Sequence, residues 1–287
     1  MIMTDLDVWI ECTIPFLKAL YYAANQTQPA DVKLMPMSPL ITLLILAFIG
    51  SVAGLIGGVI LLFRKKWAKS LAADAIPLAA GVLLAVSLLD LLPQAVDKVG
   101  DLAFTIVLGV FVTLYLVERF LFFLHHHDVE DGHEAHRKET VPLIIFGDTI
   151  HNFLDGVAIA AGFLVSPSLG AIVALSTFLH ETPHEIADFG ILLANGWSPK
   201  KAFAANFLSA IATFPGALLT YYFAAFIEPA VGILLAVAAG LFLYIAATDF
   251  LPETEHAPKE KMGRQALFLI IGVLAIAALK LVAPELP

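Results

Sequence analysis

Long apolar runs, each broken by a turn or a proline, set the rhythm of this chain. Taking ~20 apolar residues as one bilayer crossing, eight segments qualify: 39–63, 73–95, 102–124, 142–165, 168–194, 201–227, 229–251 and 265–283. Between them fall Pro142, the turn Ser166-Pro167-Ser168, Asn195-Gly196 with Pro199, Pro229, and the stretch from Pro252 to Gly263. Runs of this length predict helices, not the short alternations of an outer-membrane barrel. A helix satisfies its own backbone in lipid, which offers no hydrogen-bond partner. The expected fold is an all-α integral membrane protein with eight transmembrane helices over residues 39–283. Residues 1–38 form a separate N-terminal segment, with 6–24 read as an interfacial or additional helix.

Composition agrees with lipid as the solvent. Hydrophobic residues make up 60% of the chain and charged residues 14%, with a mean hydropathy of +0.88. A soluble domain of this size needs more charge to cover its surface. The net charge of −9 gives no footprint for nucleic acid. The lone Cys12 excludes an internal disulfide framework. Asp5 and Asp7 stand where the basic region of a cleaved signal peptide would lie, and Pro15 and Lys18 interrupt the apolar run after them.

Lysine and arginine give the spans a direction. The loops after spans 1, 3, 5 and 7 hold Arg64, Lys65, Lys66, Lys69, Arg137, Lys138, Lys200, Lys201, Lys259, Lys261 and Arg264. The opposite side holds only Lys18, Lys33, Lys98 and Lys280. Cytoplasmic loops carry the excess, so both termini are expected outside the cytoplasm of a multi-pass protein of the plasma or inner membrane.

Spans 4 and 5 contain side chains that a membrane helix ordinarily avoids, at about 2.5–3.5 kcal/mol each on insertion scales. Span 4 carries Asp148, His151, Asn152 and Asp155; span 5 carries His180, Glu181, His184, Glu185 and Asp188. His151 and Asp155 are one helical turn apart, as are His180 and His184. Imidazole nitrogen with carboxylate oxygen is a ligand set for a borderline divalent cation such as zinc. An ion-pair network between two helices is the plain alternative, but neither span holds a lysine or arginine to balance five carboxylates. Pro183 removes a backbone donor beside the ligands.

His180-Glu181-Thr182-Pro183-His184 also fits H-E-x-x-H, the pattern in which two histidines bind zinc and the glutamate is general base. In a membrane this resembles the site-2 proteases, and Leu154-Asp155-Gly156 mimics their second motif. There the Asp-Gly motif follows H-E-x-x-H; here it precedes it. A protease also leaves Asp148, Asn152, Glu185 and Asp188 unexplained, since a catalytic zinc needs three protein ligands.

The segment GDTIHNFLDGVAI, 147–159, resembles the span-4 motif H-N-x-x-D-G of the ZIP (Zrt/Irt-like) metal transporters, and HETPHEIADF, 180–189, resembles the span-5 motif of their histidine-rich branch. Weaker echoes are Asp90-Leu91-Leu92-Pro93, Glu118-Arg119, Asn206 with Ser209, Phe242-Leu243-Tyr244, and Asp249-Phe250-Leu251-Pro252-Glu253. The resemblance implies zinc-type uptake toward the cytoplasm, by a transporter and not an enzyme, with no catalytic cofactor. By motif position it implies one site of His151, Asp155, His180 and His184, and a neighbouring one using Asn152 and Glu181. Some members add a span-6 carboxylate to that second site, where this chain offers only Thr213. Asp148, Glu185, Asp188 and, by family analogy, Asp90 are further candidates along the pathway. Fe²⁺, Mn²⁺ and Cd²⁺ are chemically close to Zn²⁺ as cargo. Metal binding needs neutral histidines, so uptake is expected to fall as pH drops through about 6.5, the range of an unperturbed imidazole.

The cytoplasmic stretch 125–140 is histidine-rich, with His125, His126, His127, His133 and His136 among acidic residues. That bias suits capture or sensing of metal leaving the pathway, in a mobile loop. Gly50, Gly54 and Gly57-Gly58 in span 1 offer a small-residue face to another helix or to a second subunit, leaving a homodimer open.

Overall fold

A computed structural model describes residues 38–126, 133–223, 230–255 and 261–282. The expected helix within 6–24 and His127 lie outside these. Among the described residues every element is helical. In chain order they are α1 (Pro39–Gly50), a 3-10 turn (Val52–Leu55), α2 (Ile56–Phe63), α3 (Lys65–Ala85), a π segment (Val86–Leu91), α4 (Leu92–Val99), α5 (Leu102–His126), α6 (His133–Val165) and α7 (Pro167–Ala194). Then come α8 (Pro199–Ala210), α9 (Thr213–Tyr222), α10 (Val231–Ile245), a second π segment (Ala246–Phe250), α11 (Leu251–Glu255) and α12 (Met262–Val282).

Three of these helices begin on Ser-Pro. Ser38, Ser166 and Ser198 accept from the backbone N–H of Ile41, Leu169 and Lys201. The proline that follows each sits where its missing N–H has no helical partner. Elsewhere the apolar runs are less regular than their periodicity predicts. Span 1 breaks at Ser51, and span 6 breaks between Ala210 and Thr213. Each π segment leads into Leu-Pro. Pro93 and Pro252 cannot bond the carbonyl four residues back, and a widened turn accommodates the loss. Pro142 does not open span 4: α6 starts nine residues earlier, at His133, and runs through the proline. Its first turns are built of good helix formers, and Pro142 lies exposed on the helix. Thus His133 and His136 begin a helix rather than lie in a loop, while His125 and His126 end α5.

Six helical stretches are long and apolar enough to cross a membrane: Pro39–Phe63, Ser70–Val99, Leu102–Phe120, Pro199–Tyr222, Val231–Thr254 and Met262–Leu279. α6 and α7, at 33 and 28 residues, have the length. They fall short on hydropathy because they carry the ionisable cluster.

The helices associate in two groups. α6 lies along α9 and α7, and α1 and α2 pack on α7. In the other group α3 pairs with α12, and α10 pairs with α5 and α4. The groups meet where α3 touches α7 and α10 touches α6. With no hydrophobic drive between helices in lipid, close backbone approach decides which faces meet. A Cβ on Gly156 would run into the Thr213 carbonyl, and one on Gly216 into that of Phe153, so this reciprocal glycine pair seals α6 to α9. The span-1 glycines are used inside the chain: Gly54 meets Glu181, Gly57 meets Thr182 and Gly58 meets Phe189. They are therefore not available to a second subunit. The outward faces of α5 and α12 are apolar, with Leu108, Phe120, Leu267 and Leu274 more than half exposed, as a lipid-facing surface requires. Arg64 sits over the ring of Trp67, and Lys201 over that of Trp197. Both pairs follow odd-numbered spans, in keeping with an aromatic and basic belt at one interface.

Candidate metal centre

α6 and α7 carry the cluster. Periodicity puts His151 and Asp155 on the face of α6 toward α7, and His180 at the matching depth of α7. Their ligand atoms converge. His151 Nε2 lies 3.2 Å from His180 Nε2, 3.1 Å from Glu181 Oε1 and 3.6 Å from Asp155 Oδ2. His180 Nε2 lies 3.3 Å from Asp155 Oδ2 and 3.6 Å from Glu181 Oε1. One ligand atom from each of these four residues falls within 4.8 Å of all the others. Bonds of ~2.0–2.1 Å from zinc to nitrogen or oxygen imply tetrahedron edges of ~3.3–3.4 Å. The measured separations bracket that length.

The surroundings prepare these atoms. His180 Nδ1 is 3.0 Å from the Ser176 carbonyl, which can only accept. The ring's proton is thereby held on Nδ1, and the Nε2 lone pair points into the cluster. Asp155, His180 and Glu181 are essentially buried, while His151 keeps 16% of its side chain exposed. Neither oxygen of Asp155 or Glu181 has a hydrogen-bond donor beyond these histidine contacts. Among the described residues the one ion pair made by a lysine or arginine is Arg264 with Asp74, far along the chain. Two carboxylates and two imidazoles are thus brought together with no lysine or arginine beside them among the described residues.

His184 stands beside this group. Its ring stacks on His151, with centroids 5.7 Å apart and planes at 17°. Phe250 meets it edge-on, as Phe242 meets His180. α10 and its π segment thus give the cluster an apolar wall. The grouping differs from the one motif position implies: Glu181, next to His180 in sequence, completes the quartet, and His184 flanks it. Asn152 turns away from it and bonds to Asp148 and to two hydroxyls. Glu185 is buried and without a hydrogen-bond donor, and Asp188 is partly buried. Asp90 is buried in the first π segment. None of Asp148, Glu185, Asp188 or Asp90 joins the quartet, and no second such group forms among the described residues. Ser51 is the participant missed by sequence reasoning. Its one outward sign was a polar residue in the middle of an apolar span.

A family model described as ZIP zinc transporter matches residues 133–280, just over half of the chain. Mouse zinc transporter ZIP4 is 43% identical over 139 residues, which is 46% of this chain and 20% of that protein. The Drosophila melanogaster zinc transporter foi is 41% identical over 133 residues, 46% of this chain and 18% of its own length. Zinc transporter ZIP10 of Danio rerio is 38% identical over 122 residues, covering 42% and 14%. The aligned part is thus a fifth or less of each relative. An intramembrane protease finds no support among these matches.

Proposed function

We propose that this chain, which belongs to the ZIP zinc transporter family, carries a divalent, zinc-type ion across a cell membrane toward the cytoplasm. The observation that carries this reading is the buried quartet of His151, Asp155, His180 and Glu181, five of whose six ligand separations lie between 3.1 and 3.6 Å, with no lysine or arginine paired to it among the described residues. A carboxylate pair in that setting is costly unless a cation or protons neutralise it. Mixed imidazole and carboxylate ligands, without thiolates, suit an ion that must be released as well as bound.

Around that site the remaining expectations take their places. The chain crosses eight times, with both termini outside, α6 and α7 being the crossings that carry the cargo. His184 supplies a further ligand that transport requires, reaching an ion from its stacked position on His151. Asp148, Glu185, Asp188 and Asp90 attract the cation along its path. The histidines of 125–136 receive metal on the cytoplasmic side, so shortening that stretch changes rate without abolishing transport.

The test is flux of radioactive zinc or cadmium into proteoliposomes. His180→Ala and His184→Ala, purified folded, are expected to lose most of the uptake. Equal flux in wild type and His180→Ala would sink the assignment. Metal-dependent cleavage of a membrane peptide, lost in Glu181→Gln and without flux, would establish the protease instead.

A further inference from the structure

Asn152 follows His151 directly and is fully buried. An asparagine amide offers two acceptor lone pairs and two N–H donors, and here all four are used. Its Oδ1 accepts from Ser51 Oγ at 2.5 Å and from Thr213 Oγ1 at 3.3 Å. Its Nδ2 donates to the Asp148 backbone carbonyl at 3.1 Å and to Asp148 Oδ1 at 3.0 Å. A carbonyl and a carboxylate only accept, so the amide's orientation is fixed by its partners. The Ser51 hydroxyl shares its single proton with the Ala210 carbonyl, 3.0 Å away. Ser51 lies at the break in span 1, and Ala210 and Thr213 flank the break in span 6. Three helices are therefore tied at one level, beside the quartet but turned from it.

We infer that Asn152 is the centre of a closed hydrogen-bond knot rather than a metal ligand. Ser51 and Thr213 are positioning residues acting through it, and the transport site holds one ion per chain. A ligand needs a lone pair free to face the ion, and Asn152 has none. What the knot does instead follows from its place on α6. Residue 152 is offset around the helix from His151 and Asp155, so fixing it against α1 and α9 fixes the angle at which those two face α7. Side-chain tips stand ~5–6 Å from a helix axis, and a rotation of ~10° would move them ~1 Å. Metal sites tolerate only about 0.2 Å. Freeing α6 by even that rotation would spoil the quartet.

This rests on the quartet being the transport site, and the measurement separates the two. Zinc is titrated calorimetrically into the full chain in detergent, with bound metal counted by elemental analysis; His125, His126, His127, His133 and His136 are alanine in every protein compared, the otherwise wild-type chain included, so that the cytoplasmic histidines add no metal. Wild type is expected to bind one equivalent. Ser51→Ala and Thr213→Val should each still bind one, about tenfold more weakly, the lower end for loss of a group that orients a metal ligand. Thr213→Ser, which keeps the hydroxyl, should retain wild-type affinity. Two equivalents in wild type would overturn the inference while leaving the transport site standing. So would unchanged or tighter binding in Ser51→Ala, because releasing Oδ1 should help a ligand and harm a knot. No binding by folded wild type would overturn the site itself, and the knot's role with it.

Discussion

The group formed by α1, α2, α6, α7, α8 and α9 contains every buried polar or charged side chain of the described residues except Ser87 and Asp90, which lie in the π segment between α3 and α4. The group formed by α3, α4, α5, α10, α11 and α12 is filled with residues such as Leu83, Leu91, Leu235 and Phe242. Both face the same lipid, so the solvent does not account for the difference. In the apolar group the helices meet almost wholly through hydrocarbon. In the polar group Ser51, Thr149, Asn152, Ser209 and Thr213 satisfy one another, while Asp155 and Glu181 meet only the neighbouring histidines. One half of the molecule is held by apolar packing; the other keeps two buried carboxylates among histidines.

Several substitutions press on that contrast. The largest effect is expected where backbones touch. Gly216→Leu drives a side chain into the Phe153 carbonyl, and Gly81→Leu does the same to Leu269 across α3 and α12. Each should cost more than about 4 kcal/mol, as overpacking with no room to relax does at its worst, seen as loss of monodisperse protein after extraction. If Gly216→Leu alone were tolerated, the seam of the polar group would be softer than its geometry says.

A pair with opposite signs comes next. Leu83→Ala, in the apolar group, should lower the thermal midpoint of the metal-free protein by removing packing worth about 2 kcal/mol. Asp155→Asn should raise that midpoint, because an amide brings donors to a cluster that lacks them and removes an uncompensated charge. The same change should erase the stabilisation that zinc gives the wild type. A lower metal-free midpoint for Asp155→Asn would mean that the quartet is balanced without an ion.

The smallest effect belongs to Arg264→Ala. Its partner Asp74 is 2.5 Å away, but the arginine is 58% exposed. Such pairs contribute about 0–1 kcal/mol, and the midpoint should stay near that of the wild type.

Much of this was legible in the chain. Apolar length marked the crossings, and Ser-Pro marked three helix starts. Carboxylates without a balancing lysine or arginine singled out spans 4 and 5, where the His/carboxylate quartet lies. What periodicity could not show was the relation between helices. It placed His180 and His184 on one stripe, yet His180 and its immediate neighbour Glu181 are the pair that meets His151 and Asp155. A stripe fixes direction around one axis but not how deeply a neighbour sits against it. For the same reason Ser51 was invisible, since its partner Asn152 lies 101 positions away. The irregular turns at Ser51, at Ala210 and before Pro93 and Pro252 also escaped. An apolar run looks the same whether its helix is straight, broken or widened.

The capped start of α7 has a consequence for how the site is dimensioned. His180 lies thirteen positions after Pro167, or ~20 Å along a helix that rises ~1.5 Å per residue. Ser166 and Pro167 pin the zero of that scale, because a capped helix beginning on proline does not readily gain or lose a residue at its start. The first half of α7 thus works as a ruler, converting a count of residues into the depth of His180 along the helix. A single residue added between Gly170 and Phe178 would lower the histidine by one step and swing it through ~100°, carrying it out of reach of α6 with every ligand still present.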